Sequence, residues 1–195
     1  MNIASVVESA LSRARANRRG LEAYSDAGKL HKEMSQRFVE ALADEFRTEY
    51  AARADVVVLS RRCKAHRQRF GLNELLFDVN VCATGSVAAV SAKRELTYVT
   101  KSLWAVESEF ARDSRKALFD FNKLVLSNAE KKLFVGPRLR DVEENEFLAV
   151  LGRVSDCCTG SVFVALVPQP AKWESASRGE RRVWTRTGGE WRACR

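Results

Sequence analysis

The chain has 195 residues, of which 46% are hydrophobic and 30% charged, and its formal net charge at pH 7 is +8. This length fits one folded domain with a sheet-and-helix core, and the composition is that of a folded soluble protein. No stretch is long and apolar enough to be expected to span a bilayer, so we predict no membrane partner.

The N-terminal segment and the cysteines both predict a cytoplasmic protein. Residues 1–19 place apolar residues first and basic residues after them, which is the reverse of a secretory signal. The five cysteines are an odd number and lack the dense, even spacing of a secreted disulfide scaffold. We therefore expect reduced thiols and a cytoplasmic compartment.

Positive charge is concentrated in one internal segment and in the C-terminal tail. The segment Arg61–Arg69 has five basic residues and no acidic one. Its basic residues are Arg61, Arg62, Lys64, Arg67 and Arg69. Basic clusters suit a polyanion, because neutralising phosphates releases counterions. The segment predicts contact with nucleic acid, although a solvated basic surface would show the same pattern without a partner.

Two helical patterns come first along the chain. Ile3–Arg18 carries apolar residues at helical spacing and predicts a helix. Gly20 and the stretch Ser25–Gly28 predict a break. A second helix is predicted over Leu30–Ala52, where an aromatic residue or leucine recurs every fourth position from Phe38 to Tyr50.

Three predicted strands follow the helices. They cover Asp55–Ser60, Glu74–Cys82 and Leu103–Phe110, all with β-branched or alternating apolar residues. The interval between the second and third strands is long for a simple hairpin. We therefore predict an insertion or an additional strand within residues 83–102.

The second half of the chain alternates helices and strands. The predicted elements are a helix at Ser114–Ala129, a strand at Lys131–Val135, a helix at Val142–Val154, a strand at Ser161–Pro168, and two short strands at Arg182–Thr185 and Glu190–Ala193. This order predicts the α/β fold class, with a mixed central sheet flanked by helices. We expect a single domain over residues 1–195, with its core at about 30–167 and with helix 1–20 and the basic tail 170–195 as additions.

Three acidic residues on two of the predicted strands indicate chemistry. Glu107 and Glu109 are two residues apart, so strand alternation would point both side chains to one face. Asp78 lies between Phe77 and Val79, where an unpaired carboxylate is costly to bury. If the strands are neighbours, the three carboxylates form an oxygen cluster that suits Mg²⁺ or Mn²⁺. Such an ion can activate water for phosphate hydrolysis.

At these residues the sequence resembles the PD-(D/E)xK nuclease superfamily, which has the restriction-endonuclease-like fold. In that family an Asp on one central strand and an acid-x-Lys or acid-x-Glu on the next form the metal site. Here LFDVNV supplies Asp78, and WAVESEF supplies Glu107 and Glu109 in the acid-x-Glu variant. The family core is a helix, a meander of three strands, a helix and a strand, which corresponds to residues 30–136 of this chain.

The resemblance implies a role for each of five residues. Asp78 and Glu107 would ligate the metal ion, and Glu109 would help to orient or deprotonate the attacking water. Glu40, on the preceding helix, is a candidate for a further acid near the metal. Lys123 could contribute a positive charge from the helix that follows the third strand.

Other readings of the same residues remain open. Glu107 and Glu109 could lie on the solvent face of an edge strand, each paired with an arginine. Glu40 and Lys123 could be ordinary solvated helix positions. Cys63 with His66, or the pair Cys157–Cys158, could suggest zinc, but neither has a second ligand pair at standard spacing.

The sequence thus predicts a metal-dependent nuclease that hydrolyses phosphodiester bonds in DNA. Its cofactor would be Mg²⁺ or Mn²⁺, and the basic segments would hold the phosphate backbone. The alternative is a non-catalytic nucleic-acid-binding or interaction module on the same fold. The sequence leaves open whether the chain forms a homodimer.

Overall fold

A computed structural model describes the protein at residues 1–17, 20–64, 75–89, 94–173 and 181–194. The side chains of Glu22 and Arg94 are outside this description. All statements below concern the described residues.

A seven-stranded mixed sheet forms the centre of the molecule, and its strands are arranged in the order of the chain. The strands are β1 (Val56–Ser60), β2 (Val79–Ala89), β3 (Arg94–Ser108), β4 (Lys131–Pro137), β5 (Ser161–Val167), β6 (Arg182–Thr187) and β7 (Glu190–Ala193). The pairs β3–β4 and β4–β5 are parallel, and the other neighbouring pairs are antiparallel. The predicted α/β class with a mixed sheet is therefore confirmed.

In the described part of the chain, four α-helices accompany the sheet: α1 (Ile3–Ala16), α2 (Ala27–Glu49), α3 (Ser114–Leu126) and α4 (Asp141–Ser155). Two short 3-10 helices in the same part cover Leu21–Ala23 and Pro170–Lys172. The side chains of Asn2, Asp26 and Asp113 accept backbone N–H bonds at the starts of α1, α2 and α3, which satisfies donors that helical bonding leaves unpaired. No helix in the described ranges is both long and apolar enough to cross a membrane.

Helices α1 and α2 cover one face of the sheet. Val7 and Leu42 are fully buried there, together with Val79, Trp104 and Val106 of the central strands. Helices α3 and α4 supply Phe121 and Leu151 to a second core on the opposite face, which also contains Ala105 of β3. Strand alternation explains the division, because Trp104 and Val106 point to one face and Ala105 to the other.

The described residues between 83 and 102 belong to β2 and β3, which are longer than predicted. Over these residues, the predicted insertion or additional strand is therefore wrong. The two strands pair from Val79↔Val106 outward to Ala89↔Arg94. Leu103 and Thr100 have no partner in the ladder, which marks two bulges. Strand β1 pairs with β2 only as far as Ala83, so the hairpin continues beyond the sheet as a two-stranded ribbon.

The C-terminal tail is part of the sheet at its described residues. β6 pairs with β5, and β7 pairs with β6, so these two strands extend the sheet at one edge. Arg181 donates to the Ala4 carbonyl oxygen and forms an ion pair with Glu8, which ties the tail to α1. Of the elements predicted as additions, α1 therefore belongs to a helical layer, and β6 and β7 belong to the sheet.

Candidate functional site

Asp78 lies directly before β2, at the end of the sheet where β3 finishes. The pairing of Val79 with Val106 brings Asp78 beside Glu107 of the neighbouring strand. One oxygen of Asp78, Oδ2, accepts two hydrogen bonds from Ser108: from the backbone N–H at 2.9 Å and from the hydroxyl group at 2.6 Å. Burial raises the pKa of Asp78, and the bonds from Ser108 partly oppose that rise.

Glu107 is the most unusual group of the site, because its carboxylate is buried with only one oxygen satisfied. The residue is 2% exposed, and Oε2 accepts a bond from Lys123 Nζ at 3.1 Å. Oε1 has no hydrogen-bond partner among the described residues. Burial first, and then the charge of Asp78, raises the pKa of Glu107 to about 8.

Lys123 reaches this site from helix α3. Its ammonium group lies 2.8 Å from Asp120 and 3.1 Å from Glu107. Burial lowers the pKa of Lys123, but the bonds to the two carboxylates outweigh burial and raise it above the usual lysine range. The ammonium group therefore stays charged and favours the ionised forms of Asp78 and Glu107.

Glu109 does not share the environment of Glu107. β3 ends at Ser108, so strand alternation does not decide where the Glu109 side chain points. The expectation that both glutamates point to one face stays a prediction. The backbone N–H of Glu109 donates to Val135, and its Oε1 accepts the backbone N–H of Ala111 at 2.6 Å. Glu109 instead lines a pocket together with Asp78.

Glu40 is held by contacts within the protein. Its Oε2 accepts the Ser60 hydroxyl and its Oε1 accepts the Arg62 backbone N–H, both at 2.7 Å. Glu40 lines the same pocket as Asp78, but both of its oxygens are engaged. The structure therefore gives Glu40 a role in fixing the turn after β1.

The basic segment is only partly described. Arg62 pairs with Glu33 at 2.6 Å and also donates to Gln36, while Arg61 lines the pocket beside Asp78. Lys64 is exposed. The other two predicted nucleic-acid contacts, Arg67 and Arg69, lie outside the described residues, as does His66 of the possible zinc pair.

The alternative readings of the acids and cysteines can be compared with these positions. β3 lies between β2 and β4, and Glu107 is buried, so the solvent face of an edge strand does not describe Glu107. All five cysteines are free thiols. Across the described ranges, no three or more His, Cys, Asp or Glu side chains are grouped so that they could hold a metal ion by themselves.

Two residues of the site were not foreseen from the sequence. Ser108 fixes Asp78, and its position between two glutamates at a strand end was the available signal. Asp120 holds Lys123, and the i, i+3 spacing of the two residues on α3 could have indicated the pair.

The chain has no significant match among curated proteins or solved structures, and no protein-family model matches it. The resemblance to the PD-(D/E)xK superfamily therefore stays a prediction from the motif residues.

Proposed function

We propose that this protein is a metal-dependent nuclease that hydrolyses phosphodiester bonds in DNA, with Asp78 and Glu107 as the ligands of Mg²⁺ or Mn²⁺. The observation that carries the proposal is the unpartnered Oε1 of Glu107, which is buried beside a second carboxylate. A buried polar atom without a partner costs free energy of about 1–3 kcal/mol, and more when the group is charged. A cation between the two carboxylates would remove that cost.

The donor set suits Mg²⁺ in particular. Mg²⁺ is commonly held by one or two carboxylates, and waters and substrate phosphates complete its coordination. Asp78 and Glu107 supply two carboxylates on adjacent strands, so a third acidic ligand is not required. When bound, such an ion would activate water and stabilise the charge that develops on the phosphate.

The residues around Asp78 and Glu107 support a catalytic role for these two carboxylates. Ser108 holds Asp78 in one orientation through two bonds, which restricts a ligand in the way that catalytic sites require. Lys123 brings a permanent positive charge next to Glu107, where it could also stabilise a phosphate. Glu109 lines the pocket next to Asp78 and remains the candidate for orienting or deprotonating water.

The order of elements gives further support. Helix α2 leads into the antiparallel strands β1, β2 and β3, and α3 then leads into the parallel strand β4. This is the helix, meander, helix and strand order that the resemblance implies. The net charge of +8 favours a polyanionic substrate such as DNA. A cytoplasmic location stays a prediction, and whether the chain forms a homodimer stays open.

The decisive experiment is cleavage of plasmid and oligonucleotide DNA by the purified protein, with Mg²⁺ or Mn²⁺ and with EDTA. We expect metal-dependent cleavage by the wild type and its loss in Asp78→Asn and Glu107→Gln. Glu190→Gln is the matched control, since Glu190 is exposed on β7 far along the sheet. The proposal fails if no DNA or RNA is cleaved with either metal, or if both site variants cleave like the wild type.

A second candidate is a non-catalytic nucleic-acid-binding or interaction module. The observation that favours it is Lys123, whose ammonium group already provides Glu107 with a positive partner. Thermal unfolding with Mn²⁺ discriminates the two candidates. A bound ion stabilises the native state by about 2.7 kcal/mol at one hundred times its dissociation constant, so the melting temperature should rise in a nuclease and stay constant in the module.

A further inference from the structure

A pocket of about 350 Å³ lies between helix α2 and the end of β3, and Asp78 forms part of its wall. Ser108 and Glu109 also line it, so an occupant of the pocket would lie directly beside the carboxylate that the proposed function assigns to the metal. In the proposed function, the pocket would therefore lie next to the phosphate that reacts.

The walls of the pocket combine four kinds of chemistry. Asp78, Glu109 and Glu40 bring negative charge on the side of the proposed metal site. Lys32 and Arg61 bring positive charge, and Gln36 brings an amide group. Val39 and Phe110 bring apolar surface. A nucleotide has the matching parts, since its phosphate suits cations, its base edges suit an amide, and its base faces suit apolar and aromatic side chains.

The size of the pocket limits what can enter. Its volume is at the lower end of the range for ligand pockets, which is about 300–1,000 Å³. A space of this size suits a ligand of about one nucleotide, whereas a base pair consists of two nucleotides. A nucleotide in continuous duplex would first have to leave the stack, which costs free energy that an already unpaired nucleotide does not lose.

We propose that this pocket binds one unpaired nucleotide of the substrate, next to the phosphate served by Asp78 and Glu107. The inference rests on the proposed nuclease function and adds its substrate class: nucleic acid with an unpaired nucleotide, such as a single strand or a bulge, in preference to continuous duplex.

The test uses three DNA oligonucleotides of one sequence: a single strand, a duplex with a one-nucleotide bulge, and a continuous duplex. Binding is measured by fluorescence anisotropy in EDTA, and cleavage is measured with Mn²⁺. The variants are Val39→Trp, which fills the pocket, and Lys32→Glu, which reverses a charge on its exposed rim. Lys29→Glu makes the same charge change at an exposed position of α2 that does not line this pocket.

We expect the wild type to prefer the single strand and the bulge over the duplex by about tenfold, both in binding and in cleavage. Val39→Trp and Lys32→Glu should reduce that ratio towards one, and Lys29→Glu should keep it. Because Lys32 is exposed, its variant gives an answer even if Val39→Trp does not fold.

Two outcomes separate this inference from the proposed function. If the wild type cleaves all three oligonucleotides equally, or if both pocket variants keep the ratio, the pocket assignment is overturned and the nuclease stands. If no DNA or RNA is cleaved with either Mn²⁺ or Mg²⁺, the nuclease is overturned, and the binding ratio in EDTA still decides whether the pocket takes an unpaired nucleotide.

Discussion

Ser108 donates both its backbone N–H and its hydroxyl group to a single oxygen of Asp78, at 2.9 and 2.6 Å. This links the last residue of β3 to the residue that precedes β2. Because both donors favour the ionised carboxylate, they counteract the effect of burial on Asp78.

Replacing Ser108 by alanine removes the hydroxyl donor and leaves the backbone donor. We expect the pKa of Asp78 to rise in Ser108→Ala, since burial is then opposed by one bond instead of two. Carboxyl ¹³C NMR titration of Asp78 measures this directly. Ser102→Ala is the matched control, because it removes a β3 hydroxyl group that donates to Asn80 instead. An unchanged Asp78 titration in Ser108→Ala would contradict the role of the hydroxyl group.

The buried Glu107 makes stability depend on pH. Its pKa lies at about 8 in the folded protein and near 4.5 when unfolded, so between these values the native state holds a proton that the unfolded state has lost. The contribution of Glu107 to the free energy of unfolding therefore falls as pH rises through this window, by up to about 1.4 kcal/mol per pH unit. Glu107→Gln lacks this contribution, so its stability relative to wild type should increase from pH 5 to pH 8.

Urea unfolding in EDTA at several pH values checks this expectation. Glu190→Gln changes an exposed glutamate and should follow the wild-type curve throughout. A constant difference between Glu107→Gln and the wild type across the window would show that Glu107 titrates at an ordinary pKa.

Lys123 lowers the upper limit of that window, which burial of Glu107 raises. Its ammonium group favours the ionised form of Glu107, so Lys123→Met should raise the pKa of Glu107 beyond about 8. The pH-dependent loss of stability should then continue to higher pH than in the wild type. Lys116→Met removes an exposed charge from the same helix and should leave the window in place. The same unfolding series provides the measurement.

Gly160 and Gly188 provide a matched pair for backbone strain. Both have positive φ, +74° and +59°, which costs a non-glycine residue about 1–2 kcal/mol. A Cβ at Gly160 would also lie 2.3 Å from the carbonyl oxygen of Glu130, whereas a Cβ at Gly188 would meet no atom within 4 Å. Ser161 donates to that same Glu130 oxygen, which restricts its movement. Gly160→Ala should therefore lower the free energy of unfolding distinctly more than Gly188→Ala in urea denaturation.

Much of the fold followed from hydrophobic periodicity. The four helices and the strands at Val56–Ser60 and Ser161–Val167 begin and end close to the predicted positions, because their apolar residues face a core. The long hairpin of β2 and β3 was not recognised. Its outer part is exposed at residues such as Val87 and Tyr98, and a strand without a buried face lacks the alternation that sequence reasoning uses.

The sequence predicted the positions of site residues only where strand pairing determines them. The proximity of Asp78 and Glu107 follows from two adjacent strands, and that part was foreseen. β3 ends at Ser108, two residues before the predicted end at Phe110, and alternation alone cannot show where a strand ends. Glu107 Oε1 has no hydrogen-bond partner because of the way that side chains pack around this buried group. Hydrophobic periodicity contains no information about such packing.

The order of the seven strands has a consequence for how the molecule is built. Among the described residues, every strand after β1 pairs with the strand that precedes it in the chain, and no later strand is inserted between two earlier ones. A sheet of this kind can grow by one strand at a time while synthesis proceeds from the N-terminus. Asp78 and Glu107 would then meet as soon as β3 has been made, before the second half of the sheet exists.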